Sequence, residues 1–66
     1  MQLTINGESR QFANTMTIAE LLEVTGFKGK YVAVEHNLKV ISYTKYNEVT
    51  LADGDRLEIV SLVGGG

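Results

Sequence analysis

Sixty-six residues, no cysteine, a formal charge of −2 and 44% hydrophobic side chains set the bounds. One domain at most can form, burying only about 60% of its unfolded surface, and a disulfide framework, a thiolate zinc site or a cysteine nucleophile is excluded. An acidic chain (pI near 5.2) lacks the basic patch that phosphate recognition needs, which speaks against nucleic acid and for a basic protein partner. No basic stretch followed by an apolar run marks a signal peptide. No run approaches the roughly 18 apolar residues of a membrane span, so the expected location is cytoplasmic, with no membrane partner.

Gln2–Ile5 alternates polar and apolar residues with the period of two that marks a half-buried strand. Asn6-Gly7 follows, a pair that accepts positive φ at both central positions of a hairpin, and Arg10–Phe12 is predicted to return antiparallel beside the first strand. Thr17 and Glu20 form a capping box, and Met16 and Leu21 fit a hydrophobic staple around it. Ile18, Leu21, Leu22 and Thr25 share one helical face, and Gly26 supplies the stop.

Tyr31–Glu35 predicts a central strand with Val32 and Val34 toward the helix. His36-Asn37 reads as a turn and Lys39–Ile41 as a brief fourth strand. Residues 42–48 show no clear period and read as a loop or one irregular turn. Val49–Leu51 leads into a tight turn at Asp53-Gly54-Asp55. Arg56–Val60 is the last predicted strand, with Leu57 and Ile59 inward and Arg56 and Glu58 outward.

This order predicts an α+β fold, a mixed sheet of four or five strands packed on one helix, which is the β-grasp or ubiquitin-like architecture. Residues 1–60 make the domain, with the last strand in mid-sheet and a right-handed crossover through the helix. Residues 61–66 are expected to form a flexible tail ending in Gly64-Gly65-Gly66. Without Cβ atoms such a tail can thread a narrow cleft, and a glycine carboxylate is the least hindered acyl group a protein offers. A plain flexible end or linker is the alternative reading of the same residues. Six residues from Ser61 reach roughly 20 Å at about 3.3–3.6 Å each. Val60 and Leu62, opposite in parity to Leu57 and Ile59, are candidates for an exposed apolar docking patch, although Leu62 packed against a neighbouring strand fits equally.

Together, Asn6-Gly7-Glu8, the helix start Thr17–Leu22, the strand Val32–Glu35, the run Asp53–Val60 and the ending Val63–Gly66 resemble the ThiS family of sulfur carriers of thiamine biosynthesis. The resemblance runs from end to end. The departure lies in the fourth-strand region, where family members often carry Asn-Gly and then an Arg and this chain has His36-Asn37-Leu38-Lys39. The resemblance implies that a ThiF-type adenylating enzyme activates the carboxylate of Gly66 with ATP. Sulfur from a cysteine desulfurase system then gives a C-terminal thiocarboxylate, a thioglycine at Gly66, delivered to a ThiG-type thiazole synthase. With Val60 and Leu62 taken from strand parity, Val63, Gly64, Gly65 and Gly66 complete the expected partner-binding residues, with no bound cofactor and no metal.

The remaining polar residues read more simply. His36 has no Asp or Ser spacing of a catalytic triad and suits a turn or the surface. Glu58, Asp53 and Asp55 suit either steering toward a basic partner or plain solvated charge. Asp53-Gly54-Asp55 lacks the further ligands of a calcium loop. Tyr31, Tyr43 and Tyr46 lack the interleaved basic residues of a base-stacking platform and suit core or edge packing. The chain therefore reads as a substrate and carrier, not an enzyme. The alternatives are a molybdopterin-type sulfur carrier, a protein-conjugating ubiquitin-like modifier, or a TGS-like binding module, for which the glycine tail would be dispensable.

Overall fold

The computed structural model describes residues 1–27 and 31–62. Strands β1 (Gln2–Ile5) and β2 (Glu8–Gln11) form an antiparallel hairpin with Leu3 opposite Arg10 and Ile5 opposite Glu8. The chain reverses at Asn6 and Gly7, whose φ values of 51° and 84° are the positive pair that a type I′ turn requires. So tight a turn fixes the register at once. The return strand therefore begins at Glu8 rather than Arg10 and ends before Phe12, whose N–H donates to the Met1 carbonyl at 2.8 Å.

Helix α1 (Ile18–Thr25) starts as predicted. The Thr17 hydroxyl accepts from the Glu20 N–H at 3.1 Å and a Glu20 carboxylate oxygen accepts from the Thr17 N–H at 2.8 Å. The other free N–H groups of the first turn are met by the loop that precedes the last strand: Ile18 donates to the Val49 carbonyl at 3.0 Å and Ala19 to that of Tyr46 at 2.9 Å. Gly26 closes the helix in the left-handed conformation, φ 87°.

Strands β3 (Val32–His36) and β4 (Lys39–Ile41) make a second hairpin; a short 3-10 turn (Tyr43–Lys45) follows, then β5 (Arg56–Ser61). The sheet order is β2-β1-β5-β3-β4, with β5 parallel to β1 and antiparallel to β3. One helix on this mixed five-stranded sheet is the predicted α+β β-grasp fold. The inner face supplies Leu3 and Ile5 from β1, Val32 and Val34 from β3, and Leu57 and Ile59 from β5, packed on Ile18, Leu21 and Leu22. Leu51 and Tyr46 close the remaining side of the core.

The last strand also runs past its expected end. Strand β5 continues through Ser61, which pairs with Val32, and the Leu62 N–H donates to the Tyr31 carbonyl at 2.7 Å. Ser61 and Leu62, placed by the sequence at the start of the tail, are thus held by sheet hydrogen bonds. The rest of that tail, Val63, Gly64, Gly65 and Gly66, lies outside the described residues.

Candidate functional site

Because side chains alternate along a strand, the same β5 that buries Leu57 and Ile59 turns Glu58 and Val60 to the opposite face. Val60 is 59% exposed and Leu62 63% exposed, so Leu62 does not pack under a neighbouring strand. Cross-strand pairing extends this outer face: Val60 lies opposite Ala33, and Glu58 opposite Glu35, which in turn faces Val40. Val40, Val60 and Leu62 thus form a solvent-facing apolar strip beside two carboxylates, with a shallow hollow between Ala33, Val40, Glu58 and Val60. A second hollow, around Leu38, Glu35, Glu58 and Arg56, opens toward the turn between β3 and β4.

The acidic residues divide. Glu58 is exposed, whereas Asp53 and Asp55 are structural ligands of the chain itself. An Asp53 oxygen accepts from the Gln2 N–H at 2.6 Å, and Gly54, at φ 90°, donates to the Gln2 carbonyl at 2.7 Å. Asp55 Oδ2 accepts from the Ala52 N–H at 2.9 Å and lies 2.7 Å from His36 Nε2, while Oδ1 accepts from Asn37 Nδ2 at 3.1 Å. Burial pushes the Asp55 carboxyl pKa up. The hydrogen bonds from His36, Ala52 and Asn37, together with attraction to His36, outweigh it and hold the carboxyl below its ordinary value. His36 is therefore neither a turn residue nor a free surface group: it ends β3 and latches that strand to the turn before β5.

The three tyrosines do not form one platform. Tyr46 is buried, donates its hydroxyl to the Val32 carbonyl at 3.2 Å, and has its pKa raised by burial, whereas Tyr31 and Tyr43 are exposed. Among the described residues no group of three or more His, Asp or Glu side chains is placed to hold a metal ion, and no helix is long and apolar enough to cross a membrane. Sequence reasoning missed Val40 and Leu38 as members of the exposed face. It also missed the Asn6 side chain, which accepts from the Ile59 N–H at 2.7 Å and donates to the Ile59 carbonyl at 3.0 Å. The hairpin signal at Asn6-Gly7 explains the backbone, and only the folded sheet brings Ile59 beside it.

The fold and its open face define the class: a small ubiquitin-like β-grasp domain whose central strand leads into a run of glycines. Within that class the sequence model of the ThiS family matches residues 3–66, and the chain belongs to that family. It is 42% identical to the sulfur carrier protein ThiS of Bacillus subtilis (strain 168) over 65 residues, covering 97% of this chain and 98% of that protein. It is 47% identical to a thiazole synthase of Paramagnetospirillum magneticum over 66 residues, and there spans 20% of that protein's length. The crystal structure of the thiamine biosynthesis protein ThiS from Geobacter metallireducens superimposes with a TM-score of 0.86 at 32% identity, covering 100% of both chains.

Proposed function

We propose that this chain is a sulfur carrier of thiamine biosynthesis, and that its chemistry takes place on the carboxylate of Gly66. A carboxylate is a poor electrophile until it carries a good leaving group. In this reading a ThiF-type enzyme lets the Gly66 carboxylate attack the α-phosphate of ATP, releasing pyrophosphate and leaving an acyl adenylate. A persulfide from a cysteine desulfurase system displaces AMP, and a thiol then cleaves the sulfur–sulfur bond to leave the thiocarboxylate. A ThiG-type thiazole synthase takes the sulfur into the thiazole ring. The domain supplies no catalytic group; it presents an acyl terminus and a surface by which partners hold it. The need for ATP and for a thiol reductant supports a cytoplasmic setting for this chemistry.

The observation that carries the reading is the family match through Gly66, on a fold whose exposed strip includes Leu62, the last described residue. Four residues follow Leu62, and four residues span at most about 14 Å. An adenylating site must be shielded from water to protect the adenylate. A partner that encloses Gly66 is therefore brought close to Leu62 and Val60, which supports a place for those two side chains in the contact.

The test is incubation with the adenylating enzyme, ATP and a cysteine desulfurase sulfur source, followed by mass mapping of the C-terminal peptide. Exchange of oxygen for sulfur has the nominal mass of one methionine oxidation, but the peptide after Arg56 contains no methionine. An ATP-dependent gain on that peptide is expected. With an enzyme system shown to be active on another carrier, no gain would reject the proposal.

A further inference from the structure

The turn between β3 and β4 carries a leucine where the backbone favours glycine. Asn37 and Leu38 have φ values of 50° and 71°, and a Cβ in this region crowds the neighbouring carbonyl oxygen. Leu38 is also 91% exposed, so no packing inside the domain offsets the strain. The turn beneath it is firmly tied. The Asn37 N–H donates to the Arg56 carbonyl at 2.8 Å, the Arg56 N–H to Asn37 Oδ1 at 2.9 Å, and Asn37 Nδ2 to Asp55 at 3.1 Å. An apolar residue with a strained backbone, held out on a fixed platform, has the form of a binding anchor whose backbone is already ordered before a partner arrives.

A second unrelieved cost lies beside it. Glu35 and Glu58 stand directly opposite one another on β3 and β5, where like charges repel. Among the described residues neither takes part in an ion pair, and Arg56, which lines the same hollow as Leu38 and both carboxylates, closes on neither. The hollow therefore keeps a net negative charge and is open to solvent. A guanidinium or ammonium group entering from outside would be held by both carboxylates, turning their repulsion into attraction.

We propose that this hollow receives a basic side chain of thiazole synthase, with Leu38 seated in an apolar pocket next to it. The proposal rests on the carrier reading given above. The hollow lies at the Arg56 end of β5 and Leu62 just past the other end, roughly 20 Å along the strand. A partner that reaches from the glycine run to Leu38 covers Val60 on the way and makes one continuous contact. Thiazole synthase, rather than the adenylating enzyme, is the occupant because a protein of that name similar to this chain contains the domain within its own polypeptide. Joined in one polypeptide, the two domains meet at a high effective concentration.

The test measures two quantities on the full chain: affinity for thiazole synthase from the same cells by titration calorimetry, and the urea midpoint of the free chain. Leu38→Gly and Glu58→Gln each remove a cost from the free domain, so both are expected to raise the urea midpoint. Both are also expected to weaken binding by about tenfold, and Glu58→Gln should flatten its salt dependence. A residue with only a structural role would move the midpoint and leave affinity alone. Unchanged affinity in both variants overturns the proposal. So does a wild-type chain that is thiocarboxylated in the mass assay yet does not bind thiazole synthase. Failure of thiocarboxylation itself would instead strike the carrier reading on which the choice of occupant rests.

Discussion

Where β1 ends, the side-chain amide of Asn6 takes over its pairing with β5. Backbone pairing between the two strands reaches Ile5 and Leu57, and Asn6 then engages both the N–H and the carbonyl of Ile59, as one more strand residue would. Asn6→Ala would leave both Ile59 groups unpartnered in a half-buried site and place an alanine at φ 51°. The expected cost is about 2–3 kcal/mol, a large share of the roughly 3–10 kcal/mol available to a domain of this length. Urea denaturation measures it, and a loss below about 0.5 kcal/mol would mean that water replaces the amide. The sign of a second effect follows from Asp55, whose carboxyl titrates below its ordinary value in the fold. Such a group contributes stability that is full above the unfolded value, about 3.9, and is lost as pH falls through the lower folded value. Asp55→Asn is therefore expected to be less stable at neutral pH and to show a shallower decline on the acid side. An unchanged acid slope would assign that decline to other carboxylates.

At the scale of elements, α1 is too short to form alone, and its first turn depends on Thr17 and on loop carbonyls. Thr17→Ala should cost about 1 kcal/mol, while Thr17→Ser, which keeps the hydroxyl, should stay near wild type; thermal melts of the three proteins compare them directly. Equal losses for Ala and Ser would point to the threonine methyl rather than the cap. The capping box was legible in the sequence because it is a local pattern, four residues with one reciprocal geometry. The hairpin at Asn6-Gly7 and the inward parity of Leu57 and Ile59 were legible for the same reason. The carbonyls of Tyr46 and Val49 that complete the cap were not, since they meet the helix only after the chain has folded back. His36 and Asp55, 19 residues apart in sequence, come together by the same route. At the candidate site, parity exposed Val60 and Leu62. Val40 escaped because a three-residue strand carries too little period to assign a face, and Leu38 because a leucine breaks the residue preference of its own turn.

Across the whole molecule, stability and chemistry reside in different places. The core lies between one face of the sheet and the helix, and the exposed strip lies outside it; the proposed function gives that strip and the glycines to partners. Leu21→Ala, a change in the fully buried centre, should cost about 2–5 kcal/mol, enough to leave much of a small domain unfolded. Its carrier activity should fall only in proportion to the folded fraction and should recover when the chain is stabilised by lower urea or by osmolyte. Gly65→Leu should behave in the opposite way. It adds a branched side chain to the segment that, in the proposed function, enters a closed adenylating cleft, at a position beyond Leu62, the last described residue in a sheet hydrogen bond. The melting temperature of Gly65→Leu should match wild type while ATP-dependent thiocarboxylation is lost, and added osmolyte should not restore it. Normal thiocarboxylation of Gly65→Leu would show that the cleft does not read the width of the tail, and would leave the outer face of β5 as the sole basis of recognition.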